Sequence, residues 1–125
     1  MGSQTQFTRR NGKTMEISEE SATKARDFIW ENARKLAAAT SNKDYLKEFL
    51  KSKLAMLMKE SSETTIAGKE MDAKTHPDYI ALLHGIKVAQ EEEIRLKWQM
   101  DAAKISYEIY RTESANNRAI DRAMQ

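Results

Sequence analysis

Apolar residues recur every three or four positions along most of the chain, the spacing that places them on one face of an α-helix. The pattern begins after Ser18, whose hydroxyl is suited to cap a helix, and predicts a helix over about residues 19–39. A second amphipathic run predicts another helix over residues 43–60. Residues 40–42, Thr-Ser-Asn, are typical capping residues, so we expect a break there and an N-terminal helical hairpin.

A short helix is predicted over residues 65–74, ahead of the clearest helix start in the sequence, Thr75-His76-Pro77-Asp78. Proline suits a first helical turn, and an aspartate there complements the positive end of the helix dipole. From that point the pattern predicts one long helix over residues 77–123, which would extend roughly 70 Å at ~1.5 Å per residue. The predicted fold class is therefore all-α, with a helical hairpin followed by a long C-terminal helix.

The long C-terminal helix is predicted to be apolar on two faces. One face follows a heptad pattern in which Glu93 is the only charged member. The heptad positions are Tyr79, Leu82, Ile86, Ala89, Glu93, Leu96, Met100, Ala103, Tyr107 and Tyr110. The second face consists of Ile94, Trp98, Ala102, Ile105 and Ile109.

A helix with two apolar faces packs against two neighbours. We expect one face to pack on the hairpin of the same chain and the other on a second subunit, giving a coiled-coil-like oligomer. The residues assigned to self-association are Ile94, Trp98, Met100, Ile105, Tyr107, Ile109 and Tyr110. The alternative is a monomeric helical bundle that uses both faces internally.

The composition favours one helical domain that self-associates. The chain has 125 residues, of which 40% are hydrophobic and 32% charged, and large aliphatic residues are too sparse for a substantial monomeric core. Residues 18–125 are predicted to form this domain, after a flexible basic tail over residues 1–17. No apolar run approaches the ~20 residues of a membrane span, and the N-terminus lacks the apolar centre of a secretory signal, so we expect a cytoplasmic protein without membrane contact.

The sequence offers no recognisable catalytic or metal-binding motif. The chain has no cysteine, which excludes a thiol nucleophile and a disulfide framework. The two histidines, His76 and His84, have no third metal ligand at a suitable spacing. There is no glycine-rich phosphate loop and no G-x-S-x-G or H-E-x-x-H motif. We therefore predict a protein that is not an enzyme and that uses no metal or cofactor.

Two rows of basic residues remain, although the net charge is only +2. Lys97, Lys104, Arg111 and Arg118 recur every seven residues, which is typical of the flank of a coiled coil. Lys43, Lys47 and Lys51 form a row on the second predicted helix, with Lys53 nearby. Tyr45, Phe49 and Tyr79 are possible stacking groups beside them, so this surface is either a solvated face or a site that binds phosphates.

The segment Leu50-Lys51-Ser52-Lys53-Leu54 resembles the single-strand-binding segment of phage recombination mediators of the UvsY type. The layout is similar too, with two short helices, a polar break, a Pro-Asp-Tyr helix start and the aromatic, basic segment 107–111 in a long C-terminal helix. One departure is Lys53, where arginine is expected; an ammonium neutralises phosphate but lacks the bidentate fork of a guanidinium.

The resemblance implies a protein that assembles into a ring through its C-terminal helix and binds single-stranded DNA. It also implies that the protein helps to load a RecA-like recombinase onto DNA coated with single-strand-binding protein. The DNA-binding residues expected on this hypothesis are Lys43, Lys47, Lys51 and Lys53. Two alternatives remain, a structural coiled-coil protein such as an assembly scaffold, and a small helical inhibitor of a host protein.

Overall fold

The computed structural model describes residues 18–124, and these residues form three helices. Helix α1 spans Glu19–Glu60, α2 spans Ile66–Lys74 and α3 spans Pro77–Ala123. No strand is present in the described part of the chain, which confirms the all-α prediction. The predicted basic tail, residues 1–17, lies outside the described residues. Within residues 18–124, no helix combines the length and the apolar character that crossing a membrane requires.

The predicted break at residues 40–42 is wrong, because α1 continues through them as one helix of 42 residues. The N-terminal half therefore contains a single long helix in place of the expected hairpin. Threonine, serine and asparagine favour capping positions. The segment contains neither glycine nor proline, so nothing in it interrupts the backbone hydrogen bonds of the helix. The Thr40 hydroxyl instead donates a hydrogen bond to Glu93 Oε2 on α3, 2.6 Å away.

The predicted starts of the first and last helices agree with the observed caps. The Ser18 hydroxyl accepts a hydrogen bond from the backbone N–H of Ser21 at 3.0 Å, which satisfies one of the free donors of the first turn of α1. At the start of α3, His76 Nδ1 accepts from the backbone N–H of Asp78 at 3.0 Å, and Pro77 is the first helical residue. Helix α2 begins one residue later than predicted, after the cap Thr65.

The chain divides by packing into two units, and each long helix contributes to both. One unit comprises residues 34–97. Its buried residues are Leu57, Ala73, Ile86, Ala89, Glu93 and Leu96. The other comprises the described residues up to 33 and from 98 onward, and its buried residues are Ala22 and Met100. Every buried residue of α3 is a predicted heptad position, so the heptad face is the packed face of this helix.

Candidate nucleic-acid interface and self-association face

The four lysines predicted to bind DNA lie on α1, but their surroundings differ sharply. Lys43 is turned toward α3, where its Nζ lies 3.1 Å from Glu93 Oε1 and 3.3 Å from Asp44 Oδ1. Its side chain is 17% exposed. The ammonium is therefore already held by two carboxylates, and it contributes to the pairing of α1 with α3 in this unit.

Glu93 is the buried counterpart of Lys43 and the charged member of the heptad face. The hydroxyl of Thr40 and the ammonium of Lys43 both donate to its carboxylate. These hydrogen bonds, that of Thr40 first, lower the pKa of Glu93, and the hydrogen bond to Glu93 raises the pKa of Lys43. Both residues are consequently charged at neutral pH, so a carboxylate at a core position is compensated by its neighbours.

The other three lysines range from partly engaged to exposed. Lys53 Nζ lies 3.6 Å from Asp78 Oδ2, and its side chain is about a quarter exposed. Lys51 is 75% exposed and pairs with Glu48 at 3.1 Å, one helical turn earlier. Lys47 is exposed and forms no ion pair with any residue between 18 and 124. Of the predicted set, Lys47 and Lys51 are thus the two cations that project into solvent.

Aromatic and acidic side chains share this stretch of α1. The rings of Tyr45 and Phe49 stack, with centroids 6.2 Å apart and planes inclined by 7°, and the Tyr45 side chain is largely exposed. Asp44 and Glu48 are exposed as well, so they offset part of the positive charge. Lys47 and Lys51 can bind phosphate, but Tyr45 lies two positions before Lys47 and therefore on the opposite side of the helix, so one copy provides only weak electrostatic attraction without a stacking group beside these lysines.

The seven residues predicted to mediate self-association separate onto two faces of α3. Met100 is buried on the heptad face, where Tyr107 and Tyr110 are half-buried with their ring centroids 6.5 Å apart. The remaining four, Ile94, Trp98, Ile105 and Ile109, lie on the opposite face. Together with Ala102 they form what we name the outer stripe. Ile94 and Ile105 are more than half exposed, and Trp98 is 74% exposed. The heptad face is therefore the packed face of α3, whereas the outer stripe is exposed except at Ile109, which is half-buried.

Two features of the surface did not stand out in the sequence. Trp30 on α1 is 85% exposed. On α3, a shallow recess of about 400 Å³ is lined by Ile105, Ile109 and Thr112, with charged residues around them. The recess extends the apolar character of the outer stripe toward the C-terminal end of the helix.

The described residues contain no cluster of three or more histidine or acidic side chains that could hold a metal ion. Comparisons with protein-family models, with curated proteins and with solved structures found no match to this chain. The likeness to recombination mediators therefore rests on residues 50–54 and on the layout of the chain. That layout differs in one respect, because the two short helices expected before the polar break are one continuous α1.

Proposed function

We propose that this chain is a self-associating, non-enzymatic protein that binds single-stranded DNA and acts as a recombination mediator. The observation that carries the proposal is the exposure of Lys51, within the segment that resembles a mediator's DNA-binding site, and of Lys47, one helical turn before it. The partners on this proposal are single-stranded DNA, a RecA-like recombinase and single-strand-binding protein. Such a role is exercised in the cytoplasm of the host cell.

The contact with DNA is electrostatic and weak in each copy. The pair between Lys51 and Glu48 is exposed on both sides, so it contributes little stability and a phosphate can compete for the ammonium. Lys47 has no such competitor among the described residues. Lysine contacts to phosphate carry no base information, so the binding has no strong sequence preference.

Self-association converts weak contacts into useful affinity. When several copies are joined, each further contact with the same strand becomes intramolecular, and the combined affinity exceeds that of any single copy. The open outer stripe of α3 supports such joining. Contacts that are individually weak can also be released one at a time, as a protein that passes a strand to a recombinase requires.

The binding surface is tested with the double variant Lys47→Ala with Lys51→Ala. Removing two phosphate contacts is expected to lower the slope of log affinity against log salt by about 1.4, at ~0.7 per contact on single strands. The matched control is Lys24→Ala with Lys35→Ala, which removes the same charge from exposed positions of the same helix. The control should keep the wild-type slope. Equal losses in both variants would contradict a localised site, and no loss in either would direct attention to Arg9, Arg10 and Lys13.

The mediator activity requires a separate assay. ATP hydrolysis by the cognate recombinase is measured on strands coated with single-strand-binding protein, with and without this protein. We expect stimulation by the wild type and none by the double lysine variant. Absence of stimulation despite demonstrated DNA binding would contradict the mediator role.

A structural assembly protein is the second candidate, and the engagement of Lys43 and Lys53 by carboxylates favours it. On that hypothesis the lysines of α1 stabilise the fold and keep its surface hydrated, while the outer stripe joins copies. Self-association without salt-sensitive binding to single strands would identify this function.

A further inference from the structure

The outer stripe of α3 has an order of residues that reads similarly in both directions. Reversing the helix about a point between Asp101 and Ala102 exchanges Trp98 with Ile105 and Ile94 with Ile109. The small Ala102 then lies at the centre, where two helices can approach closely. A face with this property is complementary to a reversed copy of itself, which is the requirement for a two-fold symmetric contact.

One edge of the outer stripe carries charges whose signs alternate. Lys97, Asp101, Lys104 and Glu108 follow one another at three- and four-residue spacings, so they share one side of the helix. Reversal about a point one residue further along, between Ala102 and Ala103, exchanges Asp101 with Lys104 and Lys97 with Glu108. The two centres correspond to a shift of about 3 Å between the copies, at ~1.5 Å per residue on each helix, which the long charged side chains can span. Each cation of one copy thus meets an anion of a reversed copy.

These charges are largely available to a partner. Asp101 and Lys104 are spaced for an ion pair along their own helix, yet neither forms one with any residue from 18 to 124. Glu108 is exposed and pairs with Arg111 at 3.2 Å, an exposed contact that leaves its carboxylate accessible. The apolar residues next to them, Trp98 and Ile105, are 74% and 61% exposed.

From this arrangement the geometry points to an antiparallel pairing of α3 with α3 of a second copy, about a two-fold axis close to Ala102. Trp98 of each copy packs against Ile105 of the other, and Asp101 of each copy pairs with Lys104 of the other. The inference deepens the self-association within the proposed function, but it is independent of DNA binding. The contact is closed at two copies, so any larger ring requires a further surface.

A parallel pairing does not satisfy the same charges. In a parallel pair the two-fold axis runs along the helices, and the charged edge of one copy lies against the opposite edge of the other. Gln99 and Ser106 lie on that opposite edge, beside the middle of the outer stripe. Asp101 and Lys104 then face neutral side chains. Because charge complementarity at the edges of paired helices sets their orientation, the antiparallel arrangement is favoured.

The pairing of charges is tested with two single variants, Asp101→Lys and Lys104→Asp. Either variant alone creates two like-charge contacts in each symmetric dimer, and we expect roughly tenfold weaker self-association. A mixture of the two restores both opposite-charge contacts, so heterodimers should form with wild-type affinity. Sedimentation or light scattering of the single proteins and of the mixture measures this. A mixture that associates no better than its components overturns the inference.

The orientation of the two α3 helices is tested by disulfide cross-linking. The chain contains no cysteine, so any disulfide between copies must join the single thiol that each variant introduces. Ala102→Cys lies near the axis and should form a disulfide between copies on oxidation. Thr112→Cys lies about ten residues from the axis, so its two thiols are roughly 30 Å apart along antiparallel helices at ~1.5 Å per residue, beyond disulfide reach. Efficient cross-linking of Thr112→Cys would show a parallel pairing and overturn the inference.

The location of the interface is tested with a matched pair of tryptophan variants. Trp98→Ala should weaken self-association on the order of 100-fold or more, because a central aromatic residue is removed from both copies. Trp30→Ala removes a ring that is 85% exposed from α1 and should leave the dimer unchanged. Circular dichroism confirms that both variants keep their helix content. A wild-type chain that stays monomeric from micromolar to millimolar concentration, or equal effects of the two variants, overturns the inference. Neither result bears on DNA binding, which is measured separately with single strands.

Discussion

Leu96 and Trp98 lie two residues apart on α3, and truncating them should destabilise the chain to very different extents. Leu96 is 4% exposed on the heptad face, whereas Trp98 is 74% exposed on the outer stripe. Leu96→Ala removes nearly all of a buried side chain and leaves a cavity, so we expect a loss of about 2–5 kcal/mol in the free energy of unfolding. A chain of this size has a total of roughly 5–15 kcal/mol, so the loss is a large fraction of its stability.

Trp98→Ala should have a much smaller effect on the single chain. About a quarter of the ring area is buried, which at roughly 150–250 Å² per aromatic side chain and ~25 cal/mol per Å² corresponds to about 1–1.5 kcal/mol. The higher helix propensity of alanine offsets part of that loss. The difference between the two variants therefore follows directly from the two faces of α3.

Urea unfolding followed by circular dichroism measures both variants. At low protein concentration Leu96→Ala should lower the midpoint strongly and Trp98→Ala slightly, with the slope unchanged. At high concentration the wild type gains stability from self-association, so the gap between it and Trp98→Ala should widen. If the two variants were equally destabilised in dilute solution, Trp98 would be covered within its own chain and the assignment of the outer stripe would be refuted.

Two further predictions concern stability. The lowered pKa of Glu93 means that its ionised form stabilises the fold above the ordinary value of about 4.5 and that this contribution is lost as pH falls through the lower folded value. Urea unfolding should therefore show a steeper loss on acidification for the wild type than for Glu93→Gln, and equal acid sensitivity would contradict the pairing with Thr40 and Lys43. Gly85→Ala should stabilise the chain by about 0.5–1 kcal/mol, because a helical Cβ there meets no atom within 4 Å. Gly68→Ala should gain less, since its Cβ would lie 2.9 Å from Glu63 Oε1, and a larger gain than at Gly85 in thermal unfolding would contradict this comparison.

The sequence predicted the packed face of α3 because that face depends on a local period. Ile86, Ala89, Leu96 and Met100 are buried where the heptad pattern placed them. Even Glu93, the apparent exception, is buried at its heptad position. A period of this kind is visible in one chain without knowledge of what packs against it.

The sequence-based predictions failed where the local structure or the ion pairs depend on residues distant in sequence. The expected break at residue 40 did not form, and Thr40 instead bonds to a carboxylate 53 positions away. The row of lysines on α1 looked uniform, yet Lys43 and Lys53 find partners on α3 while Lys47 does not find one among the described residues. A spacing pattern identifies the face of a helix, but it does not reveal which charges that face will meet.

The proposed binding of single-stranded DNA depends on repeated weak cationic contacts. Titration of the full-length wild type with labelled oligo-dT at two salt concentrations, with a duplex of equal length as competitor, tests it most directly. We expect binding to the single strand that weakens as salt increases, that tightens as the protein self-associates, and that the duplex competes for poorly. Absence of binding at low salt, or affinity that does not change with salt, would contradict the claim and leave the outer stripe of α3 as the interface of a structural assembly protein.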